Sequence, residues 1–489
     1  MTPSCHRVLH IRNHSCLYSN MTVLLSGLPL IAVIAALLAR QPALRSAVLG
    51  VVLAAVIGAG WFDLSPSVAA RAAASWWALV AEVALIVAGG IAFAEAGRLT
   101  GGQERLSSWL RRSLGTGIAP VLAIVHGVTP LAESLTGFGI GAMLAIPLLT
   151  ALGLTGRRAA TIGLLGLCAV PWGSMGPGTL IAAQLGGVGF DALGVASALL
   201  SLPVFVGVGV AAVLMVAPRE DQLRACLAAV ASAAVLWCGV LVVNLAVGTA
   251  PAGAVGALLT LAVHLLVSRL RGHRLDFPRE VGHSLVPYLV LLVGVVSLSA
   301  VVRAAGQTGT SWRYLASPAL WLAIATAAGL RRGRPGLARA VWAHTVRTWL
   351  HAGPATVLFI VLGVLMAVSG MSAHLAPWLA GLGHGYLAAL PFLAALGGFV
   401  TGSNSGANAM FAAPQAHTVT AVGADLLPAM AAHNVSSSLL TMASPARVEL
   451  AVRLCPGHPE SAPVQHRVLL VDVVLVACVA AVYLVTVIG

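Results

Sequence analysis

The chain has 489 residues, of which 59% are hydrophobic and only 8% are charged. Soluble globular domains carry about 25% charged residues, so this composition excludes a soluble protein. The 27 basic residues are all arginine and outnumber the 14 acidic residues, which gives a net charge of +13. Apolar stretches near the length of about 20 residues needed to cross a bilayer recur along the sequence. We therefore predict an all-α polytopic membrane protein embedded in a lipid bilayer.

The arginines fall into clusters within short loops, and this decides how the positive charge is interpreted. The clusters lie at 40–45, 98–112, 157–158, 219–224, 269–279 and 331–347. Cytoplasmic loops of membrane proteins retain arginine in this way. Membrane topology therefore explains the charge, and no nucleic-acid partner is expected.

The chain begins with a polar N-terminal extension at residues 1–21, and Met21 is an alternative start. The extension lacks the apolar region of a signal peptide and is assigned no function. Ordinary membrane spans are then predicted at 22–39, 46–62, 75–96, 192–217, 226–248, 250–268, 286–303, 314–330, 351–369 and 468–488. Two further regions, 117–187 and 385–450, have apolar runs interrupted by Gly, Pro, Ser, Asn and Thr. Such interruptions predict discontinuous or re-entrant helices at a transport site.

The two interrupted regions resemble each other, which predicts an internal duplication. The stretch "LTGFGIGAM" (135–143) aligns without gaps with "VTGSNSGAN" (400–408). The shared positions are Thr136 and Thr401, Gly137 and Gly402, Gly141 and Gly406, and Ala142 and Ala407. We predict a first membrane repeat at 22–248 and a second at 249–489.

Topology predicts that these repeats are inverted. If the arginine loops are cytoplasmic, the span near 117–129 runs outward and the first motif is entered from outside. By the same count the span at 385–399 runs inward, so the second motif is entered from inside. The expected fold is ion-transporter-like, with two inverted repeats of the kind that allows alternating access.

Titratable side chains inside the spans are candidates for binding a coupling proton. An acidic side chain at membrane depth costs about 2.5–3.5 kcal/mol on insertion scales, so it is either functional or paired. Glu133 lies among helix-breaking residues and is the first candidate; the alternative is an interfacial carboxylate bonded to an amide. His126 is a candidate relay to Glu133, although a lone histidine more often bonds a backbone carbonyl. Glu82 is a further candidate proton site, whereas Glu95 is expected to pair with Arg98.

Neutral polar residues in both interrupted regions predict a site for a small anion. Half-helix N-termini present free N–H groups and a positive dipole end, which suit a carboxylate. The alternative is that Ser and Asn side chains only join helices to one another. The candidate substrate-binding residues are Thr136, Gly137 and Ser174 in the first half, and Thr401, Gly402, Ser403, Asn404, Ser405, Asn408 and Gln415 in the second.

Arg447 has two interpretations in the sequence. It could pair bidentately with a substrate carboxylate or mark the cytoplasmic end of its span, and the second is favoured. The acids are scattered and the polar clusters are neutral, so no catalytic residue, metal site or cofactor is predicted. The chain is therefore predicted not to be an enzyme.

Two motifs resemble the lactate permease family of bacterial 2-hydroxymonocarboxylate transporters. The first is "ESLTGFGIGAMLAIPLLTALG" (133–153), with an acid before GFG and a later proline. The second is "GGFVTGSNSGANAMFAAPQ" (397–415), which is similar to the family's Gly-Ser-Asn stretch ending in Gln. The resemblance implies a multi-pass protein of the bacterial cytoplasmic membrane.

The resemblance also implies a function, namely proton-coupled symport of lactate, glycolate or a similar short 2-hydroxycarboxylate. Glu133 would bind the coupling proton, and Thr401, Ser403, Asn404 and Asn408 would bind the carboxylate and hydroxyl groups of the substrate. The coupling ion is expected to be H⁺, with Na⁺ as the alternative in a sodium-coupled carboxylate transporter. No cofactor is implied, and the oligomeric state is not predicted.

Overall fold

A computed structural model describes residues 4–137, 139–273, 276–331 and 333–488, with side chains described between residues 21 and 487 of these ranges. The helices of the first part are α1 (Ser4–Leu38), α2 (Ala43–Trp61), α3 (Pro66–Leu99), α4 (Gly102–Leu114), α5 (Ile118–Ala123), α6 (Thr129–Thr136), α7 (Ile140–Ala151), α8 (Gly156–Leu165), α9 (Pro177–Gly186), α10 (Phe190–Leu200) and α11 (Leu202–Leu214). A π-helical turn at Ile124–Val128 joins α5 to α6.

The second part continues with helices of the same kind. They are α12 (Gln222–Ala246), α13 (Thr249–Leu270), α14 (Arg279–Ala304), α15 (Pro318–Leu330), α16 (Leu337–Val368), α17 (Met371–Ala380), α18 (His384–Thr401), α19 (Asn404–Val422), α20 (Leu426–Leu439), α21 (Pro445–Arg453) and α22 (Ser461–Ile488). Nine of the described helices, and the continuous segment Ile118–Thr136 formed by α5, the π-helical turn and α6, are long and apolar enough to cross a membrane, which confirms the predicted all-α polytopic class.

Two predicted spans differ from the structure. The span at 192–217 is wrong because α10 and α11 are separate helices, divided at Ser201. Pro203 follows this division and has no N–H with which to continue the helix. The span at 314–330 is also too long, since α15 has only 13 residues and a 3-10 turn occupies Ser311–Ala316.

The first interrupted region forms a re-entrant hairpin, here named the first hairpin (residues 118–151). Gly137 and Gly139 have φ values of 70° and 80°, and between α6 and α7 the chain reverses. α7 then packs directly against α6: a Cβ atom on Gly141 would lie 2.5 Å from the carbonyl oxygen of Thr129. Only glycine permits this approach of the two backbones.

The second interrupted region forms a second hairpin (residues 384–422) from α18 and α19, with its tip at Gly402 and Ser403. Each hairpin is followed by a broken helix. The first break (residues 166–176) divides α8 from α9, and the second break (residues 440–444) divides α20 from α21. The same order of elements thus occurs twice, and the predicted discontinuous helices are confirmed.

The arginines give the two hairpins opposite orientations. Arg112 precedes the first hairpin and Arg157 follows it, so its open end faces the side that the charge pattern predicts to be cytoplasmic. No arginine lies between Arg347 and Arg447, so the open end of the second hairpin faces the other side. The prediction that the first motif is entered from outside and the second from inside was wrong, because each motif is a tip at which the chain turns back. The division of the repeats at residues 248 and 249 stays a prediction.

Candidate functional site

A cavity of about 330 Å³ lies where the tips of both hairpins meet the first break and the start of α21, and is named the hairpin cavity. α16 covers it from one side with His351, Thr356 and Phe359. Its polar lining from the hairpins, the first break and α21 consists of Glu133, Gly137, Ser174, Thr401, Gly402, Ser403, Asn404, Ser405 and Arg447. Seven of the ten predicted substrate-binding residues therefore lie around one space.

Glu133 is the buried acid of this cavity, with 2% of the residue exposed. Its Oε1 and Oε2 atoms accept hydrogen bonds from the amide of Gly139 at 3.1 and 3.0 Å, and Oε2 also accepts from Gly141 at 3.3 Å. These amides stand at the start of α7, where N–H groups have no partner within the helix. The carboxylate therefore holds the hairpin tip together as well as facing the cavity.

Arg447 is the cation that faces Glu133. Its Nη1 lies 3.5 Å from Oε1 of Glu133, and only 11% of the arginine side chain is exposed. Its Nε donates to the carbonyl oxygen of Gly402 at 3.2 Å. The favoured interpretation of Arg447 as a marker of the cytoplasmic end was wrong, because the second break ends just before it and turns it into the cavity.

The Nη1 atom of Arg447 is buried and has no hydrogen-bond partner among the described residues, although it is in ion-pair range of Glu133. A guanidinium group offers five N–H donors, of which Nε uses one at Gly402. The remaining donors at a cavity wall suit a second anion.

Ser174 lies in the first break and faces the same cavity, as predicted. Its backbone has φ 47° and ψ 41°, a left-handed conformation that costs a non-glycine residue about 1–3 kcal/mol. Its Oγ is buried and has no hydrogen-bond partner in the described structure. A Cβ atom on Gly137 would lie 2.8 Å from that of Ser174, so this break touches the tip of the first hairpin.

At the tip of the second hairpin, the side-chain hydroxyl groups form hydrogen bonds with backbone groups of the same hairpin. Ser403 Oγ accepts from the amide of Gly406 at 3.2 Å and so caps α19. Thr401 Oγ1 donates to the carbonyl oxygen of Gly397 at 2.7 Å. Asn404 lines the cavity while its side chain bonds other polar groups behind the cavity wall.

These polar groups form an asparagine cluster, defined as Asn404, Asn408, Asn434 and Ser437. Asn408 Nδ2 donates to Asn434 Oδ1 at 2.9 Å, and Ser437 Oγ donates to Asn404 Oδ1 at 2.7 Å. Asn434 Nδ2 donates in turn to Thr179 Oγ1 at 3.0 Å, which joins α20 to α9. Asn434 is not among the predicted substrate-binding residues, although its position in the polar stretch "HNVSSS" was a signal for it.

Three predicted substrate-binding residues lie off the cavity. Thr136 is buried and its Oγ1 donates to the carbonyl oxygen of Ala132 at 2.5 Å. Asn408 belongs to the asparagine cluster and also donates to Gly178 at 2.9 Å. Gln415 bonds Leu390 and His433 and lies eleven residues beyond Asn404 on a continuous helix, a distance of about 16 Å.

His126 does not contact Glu133, so the predicted relay between them is not formed. Its Nε2 bonds the carbonyl oxygen of Phe205 and its Nδ1 bonds Ser232 Oγ, each at 2.9 Å. Ser232 Oγ is also 2.8 Å from Nε2 of His264. The histidine lies in the π-helical turn, which rotates the following residues relative to a regular α-helix. The alternative of a histidine bonded to a backbone carbonyl is confirmed.

Glu82 lines a different cavity of about 440 Å³, together with Asp191 and Arg303. Its Oε1 accepts a hydrogen bond from Ser317 Oγ at 2.8 Å. Pro177 is the one described residue that lines both cavities. Glu82 is therefore separate from the pair formed by Glu133 and Arg447.

The sequence of this chain is similar in part to those of known transport proteins. Residues 284–488 match the family model of L-lactate permease. The match supports the predicted resemblance to the lactate permease family over residues 284–488. The L-lactate permeases of Escherichia coli strain K12 and of Escherichia coli O6:H1 are each 40% identical over 83 residues, which is 17% of this chain and 15% of those proteins. The crystal structure of the Alcanivorax borkumensis YdaH transporter is 14% identical, has a TM-score of 0.47, and is matched over 82% of this chain and 84% of that one.

The lactate permease match contains the second hairpin, the second break and α22. It therefore includes Thr401, Ser403 and Arg447, whereas Glu133 and Ser174 precede it. The matched sequence and the ten apolar segments identify a multi-pass protein of the bacterial cytoplasmic membrane.

Proposed function

We propose that this chain is a secondary active transporter that carries lactate, or a similar short 2-hydroxycarboxylate such as glycolate, together with a proton. The observation that carries the proposal is the buried Arg447, whose Nη1 faces a small cavity and has no hydrogen-bond partner among the described residues. The match to L-lactate permeases supports a monocarboxylate as the anion it binds.

The dimensions and chemistry of the hairpin cavity suit a small hydroxy acid. Its volume of about 330 Å³ is near the lower limit of ordinary ligand pockets. Arginine binds carboxylates with two parallel hydrogen bonds, so Arg447 is the expected ligand of the carboxylate. Ser174 and Ser403 offer hydroxyl groups for the 2-hydroxyl of the substrate, and Val87 and Phe359 give apolar contact.

A charge argument supports coupling to one proton. Without substrate, the carboxylate of Glu133 and the guanidinium of Arg447 neutralise each other in a buried site. A substrate carboxylate would add a second negative charge beside a single cation. Uncompensated buried charge is costly, so binding is favoured when a proton enters with the substrate. In this proposal the substrate carboxylate takes the place of the Glu133 carboxylate beside Arg447, and Glu133 then receives the proton.

Uptake of labelled L-lactate into proteoliposomes tests the proposal, with either a pH gradient or a sodium gradient imposed. We expect the pH gradient to drive uptake by the wild type. Arg447→Gln should abolish uptake, because the ligand of the carboxylate is lost. Arg453→Gln is the matched control, since Arg453 lies on the same helix, is exposed and pairs only with Glu449 among the described residues.

The sodium alternative predicts a different result in the same vesicles. Uptake driven only by the sodium gradient would contradict proton coupling and leave the carboxylate site in place. Absence of lactate uptake under both gradients would contradict the substrate. Full uptake by Arg447→Gln would contradict the assignment of the binding site.

A further inference from the structure

Asp472 is an acidic side chain near the middle of the apolar helix α22, within "VLLVDVVLVACV" (468–479). The residue is fully buried, and neither of its carboxyl oxygens has a hydrogen-bond partner within the described part of the chain. An ionised carboxylate without partners in an apolar interior is far more costly than a neutral carboxyl group. The environment therefore favours the protonated form of Asp472.

The carboxyl group of Asp472 lies against the second break. The backbone N–H of Ala443, within this break, is near the carboxyl group without meeting hydrogen-bond geometry. Gln465, two turns earlier on the same face of α22, donates from Nε2 to the carbonyl oxygen of Ala443 at 3.0 Å. α22 thus contacts the second break, in which bonds between residues three apart, such as Ser444 N–H to the carbonyl oxygen of Thr441, replace the α-helical pattern.

The charged groups on the neighbouring helices have other partners or lie at helix ends. The helices packed on α22 are α8, α10, α11, α18, α20 and α21. The titratable side chains on α8, α10 and α18 are Arg157, Arg158, Asp191, His384 and Tyr386. Those on α20 and α21 are His433, Arg447, Glu449 and Arg453, and α11 has none. None of them forms a described hydrogen bond or ion pair with Asp472.

The other side of the second break contacts the lining of the hairpin cavity. Ser444 is next to Ala443 and lies close to Gly402. A Cβ atom on Gly402 would lie 3.0 Å from the Oγ atom of Ser444. Gly402, Ala446 and Arg447 all line the cavity. The second break is therefore a single short segment between the carboxyl group of Asp472 and the cation proposed to bind substrate.

We propose that Asp472 is a second proton-binding site of the transport cycle, and that the second break links its occupancy to Arg447. The inference rests on the proposed transport function. When Asp472 loses its proton, the unpaired charge beside Ala443 requires a partner or water, and the second break must move to provide one. Movement of the break displaces Arg447, so proton release at Asp472 and carboxylate release at Arg447 occur together.

Lactate exchange and lactate accumulation separate this role from a structural one. Asp472→Asn has nearly the shape of a protonated aspartate but cannot release a proton. We expect it to keep the exchange of labelled for unlabelled lactate across proteoliposomes without a gradient, and to lose accumulation driven by a pH gradient. Asp425→Asn is the matched control, because Asp425 is an exposed aspartate before α20 without a side-chain capping bond.

Accumulation by Asp472→Asn equal to that of the wild type would overturn the inference. Asp472→Glu keeps a titratable group, so it should recover part of the accumulation. If Asp472→Asn is folded but loses both exchange and accumulation, this result would also contradict the inference that Asp472 acts only by binding a proton.

Infrared difference spectroscopy provides a measurement that does not depend on lactate. Purified wild type should show the C=O stretch of a protonated carboxyl group that is absent from Asp472→Asn. A wild type that exchanges no lactate would reject the proposed function, and this band would then decide the proton site by itself. Absence of the band from the wild type would overturn the inference.

Discussion

The two hairpin tips solve the same structural problem with different side chains. In both, the helix after the turn begins with N–H groups that have no partner within the helix. At the first tip Glu133 accepts hydrogen bonds from Gly139 and Gly141. At the second tip the neutral Ser403 accepts one from Gly406. The first repeat therefore contributes the anion of the site, and the second repeat contributes a neutral tip that faces this anion.

The cation of the site comes from the repeat that has the neutral tip. Arg447 follows the second break, and its Nη1 lies 3.5 Å from Glu133 of the first hairpin. The two opposite charges of the hairpin cavity are thus divided between the repeats. Movement of one repeat relative to the other would therefore separate the two charges, which a site built within one repeat would not allow.

The largest effect is expected when this divided pair is broken. Arg447→Ala leaves the carboxylate of Glu133 buried with only backbone donors, and loss of one member of a buried pair costs about 3–5 kcal/mol. The free energy of unfolding in detergent measures this cost. Adding Glu133→Gln to Arg447→Ala should recover part of it, because the unpaired charge is then removed. If the double variant is less stable than the sum of both single changes predicts, the pair is not the cause.

A second prediction compares the equivalent glycines Gly141 and Gly406. A Cβ atom at Gly141 would lie 2.5 Å from the carbonyl oxygen of Thr129, whereas one at Gly406 would lie 3.3 Å from a ring atom of Phe359. Gly141→Ala should destabilise the protein by about 1–3 kcal/mol, as expected for overpacking against backbone. Gly406→Ala should change stability much less, and thermal unfolding of both variants checks the difference. Equal losses would show that the two hairpins are packed alike.

A third prediction concerns the neutral tip. Ser403→Ala removes the cap of α19 and should cost about 1 kcal/mol of unfolding free energy. Ser403→Thr keeps a hydroxyl group at the same position and is expected to retain most of the stability. If alanine and threonine behave alike, the hydroxyl group of Ser403 does not stabilise the second tip.

The smallest effect is expected at an ion pair outside the tips. Glu95 and Arg98 are 2.7 Å apart, with 21% and 52% of their side chains exposed. Exposed ion pairs contribute less than about 1 kcal/mol, so Glu95→Gln should leave the unfolding transition nearly unchanged. A loss as large as that of Arg447→Ala would contradict the distinction between a buried pair and a surface pair.

The sequence was sufficient for much of the fold because hydropathy reports membrane spans directly. It also located the hairpin tips, since glycine, proline and small polar residues interrupt helices that would otherwise be continuous. The sequence did not decide between a discontinuous helix and a re-entrant one at α7, because the periodicity of a helix is the same in either direction. The short α15 was overestimated because the apolar residues of the preceding 3-10 turn, Ser311–Ala316, extend its hydropathy.

The candidate site was predictable where its chemistry is local. Glu133, Ser174, Thr401 and Ser403 lie beside the interruptions that identify them. The role of Arg447 depends on a contact with a residue in the other half of the chain, which no local pattern contains. Asp472 lies inside a predicted span and so gave the same signal as Glu82, but it was not chosen as a candidate, and only the structure shows that it has no described partner.

The π-helical turn in the first hairpin has a consequence for how this helix tolerates change. Residues seven positions apart share one face of a regular α-helix, but a turn with one additional residue rotates all later residues of the helix by about 100°. His126 can therefore anchor to Phe205 and Ser232 while Glu133 points at Arg447. Deleting one residue from Ile124–Val128 would restore the regular helix and turn Glu133 away from the cavity. Conservative substitutions in this turn are thus expected to be tolerated better than any change in its length.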